Sequence, residues 1–190
     1  MLSFQAGKTR ALPGFQVHPD MTIHLIIDGY NLIRQSPELS LLDARDLEAG
    51  REALLESLAV YRRRRPRHQI TVVFDGWQSG DRKETRDLYQ GLEVVYSRRG
   101  ERADEVIKRL LTKERQRALL VSSDRELQAQ AARVGADWVE ADFFERACLR
   151  GTSGKSFEDE DELYSKSGKK GPARRKSKRE RQRRKRLKKL

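Results

Sequence analysis

Mostly apolar runs at residues 23–27, 70–74, 92–96 and 118–121 alternate with longer stretches whose apolar positions recur at helical spacing. The runs are rich in Ile, Val, Leu and aromatic residues and read as strands, with a short fifth at Trp138 and Val139. The first long helix spans residues 47–61, with Leu47, Leu54, Leu55, Leu58 and Tyr61 on one face. Further helices are predicted over residues 102–115, 125–134 and 142–149. Strands this apolar need cover on both faces. Right-handed crossovers between them give a mostly parallel sheet between two layers of helices, a three-layer α/β/α domain.

The pattern opens at Met21 and ends near residue 150. Residues 1–20 hold Gly, Pro and basic side chains without periodicity and read as an extension outside the domain. Residues 151–165 begin with Gly151-Thr152-Ser153-Gly154 and include an acidic run, as expected of a linker. Residues 166–190 carry 15 Lys and Arg against one acid, Glu180, so the chain's net charge of +12 belongs to this tail and the remainder is close to neutral. Such a tail is expected to be disordered alone, and it gains most from displacing counterions on a polyphosphate. RNA or an RNA-rich particle is the partner expected.

Cys148 is the only cysteine, and His18, His24 and His68 are scattered, which excludes a disulfide framework and a Cys/His zinc site. No apolar run approaches the ~20 residues of a membrane helix. The expectation is a soluble, cytoplasmic chain with no membrane partner; oligomeric state is not legible.

In a parallel sheet, chemistry gathers beyond the carboxyl ends of the strands. There the sequence places acids repeatedly: Ile27-Asp28-Gly29-Tyr30-Asn31 after the first strand, Phe74-Asp75-Gly76 after the second, Asp104-Glu105 opening the helix after the third, and Val121-Ser122-Ser123-Asp124 after the fourth. Each has a bland alternative taken alone. Asp75-Gly76 suits a turn, Asp124 a helix N-cap and Asp104 a first helical turn. Together, carboxylates on one edge repel one another, and a hard divalent cation, Mg²⁺ or Mn²⁺, resolves the conflict. Such an ion activates water and offsets charge at a phosphodiester. Asp28 is the first choice as a direct ligand, Asn31 as its orienting partner, and Ser123 as a bond to phosphate or water. Glu101 and Glu105 are expected to support or be solvated, Trp77 and Trp138 to pack, and Cys148 to be buried. Arg62 to Arg65, with Arg98, Arg99 and Arg102, are candidates to guide RNA phosphates.

These same blocks resemble the YacP-like branch of the NYN domain, within the PIN-like nuclease superfamily. The resemblance rests on Leu25-Ile26-Ile27-Asp28-Gly29-Tyr30-Asn31-Leu32, followed in order by Val72-Val73-Phe74-Asp75-Gly76, Ala103-Asp104-Glu105-Val106-Ile107 and Val121-Ser122-Ser123-Asp124. It implies a PIN-like fold, divalent-metal chemistry and endoribonuclease activity, with a bacterial branch that acts on messenger RNA at the ribosome. On that basis Asp28, Asp75, Asp104 and Asp124 take the acidic-site roles, supported by Asn31 and Ser123. The extension and the long basic tail depart from the branch. The main alternative is a PIN-like module that binds RNA or ribosomes without cutting. An Asp-nucleophile phosphatase would require Asp-X-Asp after the first strand, where Gly29 and Tyr30 follow Asp28. No Gly-rich phosphate loop for a nucleotide cofactor follows it either.

Overall fold

A computed structural model describes residues 22–76 and 82–150. The expected extension, linker and basic tail lie outside the described residues, as does Trp77. In chain order the elements are β1 (His24–Asp28), α1 (Gly29–Gln35), α2 (Pro37–Asp43), α3 (Leu47–Arg64), β2 (Gln69–Phe74), β3 (Thr85–Tyr89) and β4 (Leu92–Tyr96). They continue with α4 (Ala103–Glu114), a 3₁₀ turn (Arg115–Arg117), β5 (Ala118–Val121), α5 (Arg125–Val134), β6 (Asp137–Val139), α6 (Ala141–Phe144) and one π turn (Glu145–Leu149).

The sheet order is β3-β4-β2-β1-β5-β6. All pairings are parallel except β3 with β4, so the expected sheet gains a sixth, antiparallel strand at its edge. Residues 85–89 escape the apolar pattern because Arg86, Asp87 and Leu88 are exposed and only Tyr89 packs partly against the core. It is joined to β4 by the two-residue turn Gln90-Gly91, both at positive φ, the hairpin geometry that suits the twist of paired strands.

Alternation along the central strands divides the core in two. Leu25, Ile27, Val72, Phe74, Leu119 and Val121 face α1, α3 and α6. Ile26, Val73, Val95 and Leu120 face α4 and α5, whose Val106, Ile107, Leu111 and Leu127 cover them. The result is a three-layer α/β/α fold. Leu54, Leu55, Leu58 and Tyr61 of α3 are buried as expected, but Leu47 is 55% exposed: it opens the helix at N1, beyond the sheet's reach. Trp138 is half-buried against the second core and Cys148 is buried.

The face under α4 and α5 is itself layered. A polar row, His24, Thr71 and Glu93, sits at the amino ends of the strands. The apolar layer of Ile26, Val73, Val95 and Leu120 follows, and then a second polar row, Asp28, Asp75, Ser97 and Ser122, at or just beyond their carboxyl ends.

Candidate active site

Asp28 ends β1 and is the N-cap of α1, its Oδ1 accepting the Asn31 backbone N–H at 3.2 Å. Its Oδ2 accepts a hydrogen bond from the Ser122 hydroxyl at 3.2 Å. Gly29 makes this joint possible: a Cβ there would lie 2.4 Å from Phe74 Cε1, so only glycine lets α1 start directly on the sheet. Asp124 caps α5, its Oδ1 accepting from the Glu126 and Leu127 N–H groups at 2.7 and 3.0 Å. Both the local helix-capping reading and the placement of an acid on the edge are therefore realised in one residue.

Ser122 joins the two acids. It is fully buried, donates to Asp28, and accepts the Asp124 backbone N–H at 3.1 Å. The sequence pattern favours Ser123 instead. The Ser123 hydroxyl accepts the Ala141 N–H at 3.1 Å at the start of α6, while its backbone N–H donates to Asn31 Oδ1 at 2.9 Å. The signal that distinguishes the pair is strand parity: Ser122 continues the face of Leu120 and Ser123 does not.

Asp28 and Asp104 feel this crowding. Burial, reinforced by the charges of Asp104 and Asp124, pushes the Asp28 carboxyl from 3.8 up to about 6, against the opposing hydrogen bonds from Asn31 and Ser122. Burial and then Asp124 raise the Asp104 carboxyl as well. Asp75 stands at the next strand end, where Ser97 Oγ lies 3.5 Å from its Oδ1. Ser97 also accepts the Gly76 N–H and donates to the Glu101 carbonyl, tying the β2 and β4 ends to the loop before α4. Asp28, Asp104 and Asp124 thus share one electrostatic environment, while Asp75 stands at the neighbouring strand end beside Ser97.

Among the described residues no three His, Cys, Asp or Glu side chains are grouped closely enough to hold a metal ion. The donor set and its charge nevertheless suit a hard divalent cation: carboxylate oxygens only, with Asp28 and Asp104 both raised, by burial first and then by their acidic neighbours. Glu101 pairs with Arg98 and Arg109, and the more exposed Glu105 with Lys108, so both acids have structural partners.

On the opposite side of the strand ends, Phe74 lies between Tyr30, edge-on at 5.4 Å, and Tyr96, stacked at 5.6 Å. Arg51 reaches from α3 to hydrogen-bond the Tyr30 hydroxyl at 3.0 Å.

A mostly parallel three-layer sheet with acids along its carboxyl edge is the arrangement of a PIN-like nuclease domain. The chain belongs to the YacP-like NYN domain family, whose model matches residues 25–190. It is 33% identical over 88 residues to the uncharacterized protein YacP of Bacillus subtilis, a match covering 45% of this chain and about half (49%) of that protein's length. The crystal structure of Rae1 (YacP) from Bacillus subtilis superposes with a TM-score of 0.55 and 25% identity, covering 75% of this chain and 79% of that one. A tryptophan-to-leucine mutant of the same protein gives 0.55 and 24%, over 76% and 82% of the two chains.

Proposed function

We propose that this protein is a metal-dependent endoribonuclease that cleaves RNA phosphodiesters at the carboxyl edge of its sheet. The observation that carries the reading is Asp28: a half-buried carboxylate held by Asn31 and Ser122, raised to about 6 with Asp104 and Asp124 as acidic neighbours. A half-buried acid with acidic neighbours is poised for a cationic cofactor and its chemistry.

Asp28, Asp75, Asp104 and Asp124 are the residues that hold Mg²⁺ or Mn²⁺ in this reading. When bound, such an ion lowers the pKa of an attacking water and offsets charge on the phosphate. Asp28 is kept in one orientation by its two hydrogen bonds. Asp124 spends Oδ1 on its helix, which leaves Oδ2 for the site. Asn31 commits its carbonyl oxygen to Ser123, which frees its amide N–H₂ to donate towards a phosphate oxygen or water. Ser123 holds the start of α6 and, through its N–H, the Asn31 side chain.

The substrate is RNA, supported by the family and by the +14 balance of residues 166–190, which anchors polyanions irrespective of sequence. Messenger RNA at the ribosome is the finer expectation, and the cytoplasm the setting. No helix among the described residues is long and apolar enough to cross a membrane.

Purified full-length protein incubated with free and ribosome-engaged RNA, with Mg²⁺ or Mn²⁺, beside EDTA and Asp28→Asn controls, tests the reading. Cutting that requires the metal and Asp28 is the expected result. Tight, salt-sensitive binding with no cutting in any arm replaces the enzyme by a non-catalytic RNA-binding module.

A further inference from the structure

Beside the carboxylates, between the start of β3 and the flank of α4, lies a cavity of about 330 Å³ lined by Arg82, Lys83, Glu84, Arg98, Glu101 and Arg109. Every lining side chain is charged, and the cations outnumber the acids by four to two. The two acids act as clamps. Glu84 accepts from Arg109 Nη2 at 2.7 Å, and Glu101, its side chain only 9% exposed, accepts from Arg109 Nη1 and lies 3.4 Å from Arg98 Nε. Arg109 is thereby held by two carboxylates while remaining half exposed. A long flexible side chain loses most of its rotamer freedom when it binds an anion, and here that ordering has already occurred. Arg82 and Lys83 are exposed and meet no carboxylate among the described residues.

The cavity is wired to the acidic edge. The Glu101 backbone carbonyl accepts the Ser97 hydroxyl, and that hydroxyl also borders Asp75. The loop that carries Arg98 and Glu101 continues into α4, where Asp104 stands in the first turn. We infer that this cavity is a phosphate subsite for the RNA strand, taking a backbone phosphate next to the one positioned for cleavage. The inference rests on the nuclease reading for the identity of the strand, and on the cavity for its location. An acidic centre repels the polyanion it must cut, and a preorganised excess of cations one step along the strand offsets that repulsion without neutralising the acids themselves.

The test uses the full chain carrying Asp28→Asn, so that RNA stays intact, and a short fluorescein-labelled oligouridylate as probe. Anisotropy titrations across a KCl series compare Arg82→Ala/Lys83→Ala with a charge-matched control, Lys113→Ala/Arg133→Ala, placed in the last turns of α4 and α5 at the amino-end side of the sheet. All four side chains are exposed, and thermal melting verifies that the variants are folded. The expected result is roughly tenfold weaker binding for the cavity variant, with the logarithmic salt slope shallower by about 0.7 for each phosphate no longer neutralised, and less than about twofold change for the control. Equal losses in the two variants overturn the subsite, because binding then follows overall charge. So does an unchanged cavity variant. Cleavage by the protein with Asp28 intact is scored separately. Cutting together with an unchanged cavity variant removes the subsite and leaves the nuclease, whereas a cavity-specific loss without cutting retains the phosphate site and removes the nuclease.

Discussion

Two carboxylates on the same face of the sheet meet opposite fates. Glu93, in the row at the amino ends of the strands, is opposed by burial, but a hydrogen bond from Thr71 at 2.7 Å and Arg86 at 2.7 Å hold its carboxyl below the usual range. Thr71 spends its only proton on Glu93, so it accepts from His24 Nε2 at 2.7 Å, and burial keeps that imidazole below its ordinary pKa. Arg86 passes the network on to Glu84. At the other end of the same strands Asp28 is raised by burial and by the acids Asp104 and Asp124, with hydrogen bonds from Asn31 and Ser122 opposing them. One row has its charge balanced by partners; the other is left unbalanced, the condition on which the proposed catalytic role of Asp28 rests.

The sharpest way to break this contrast is to remove one charge from each row. Asp28→Asn should lower RNA cleavage on the order of 10³-fold, the scale expected for a central electrostatic group, without lowering the melting temperature, because Asn can still cap α1 and no longer opposes Asp104 and Asp124. Thr71→Val should do the reverse. It strands the buried His24 N–H and removes a donor from Glu93, costing about 1–3 kcal/mol in denaturant unfolding while kcat at saturating RNA stays near the unmodified level.

The pH response should separate the rows further. Because the folded state raises the Asp28 carboxyl from 3.8 to about 6, it holds that proton more tightly than the unfolded chain. The associated stability is complete below about pH 4 and is lost as pH rises through about 6. Cleavage needs the ionised acid and should rise through the same window, with added Mg²⁺ moving its acid limb lower. Chemical denaturation and initial rates measured across that window should run in opposite directions, and Asp28→Asn should flatten its share of the stability curve.

Ser122→Ala should shift that acid limb to higher pH and lower the rate roughly tenfold near pH 6, as one of the hydrogen bonds favouring ionised Asp28 is lost. The same change at Ser123 should leave the limb in place, since its hydroxyl serves α6. Smallest of all, Leu47→Ala should alter stability by no more than about 0.5 kcal/mol, as expected for an exposed side chain away from both rows.

The central strands and the acids that follow them are legible in the sequence because burial on both faces imposes apolar runs and the chain must turn where they end. The antiparallel edge is not, because Thr85–Tyr89 has little to bury and its Arg86 answers to Glu84 and Glu93 rather than to a periodic pattern. Helices α1 and α2 are too short to establish periodicity, although Ser36-Pro37-Glu38 carries a start signal: Ser36 caps α2 and Pro37 occupies its first turn. In the site, acid positions can be read from strand ends, but the choice between Ser122 and Ser123 depends on which neighbour continues the face of β5.

Gly29 has a consequence for how this protein can evolve. With no room for a side chain between α1 and Phe74, the joint that aims Asp28 and Asn31 has no slack, and variation there is closed. New substrate preferences must therefore be written elsewhere, in the loops that flank the strand ends, while the acids inherit their placement unchanged from the sheet.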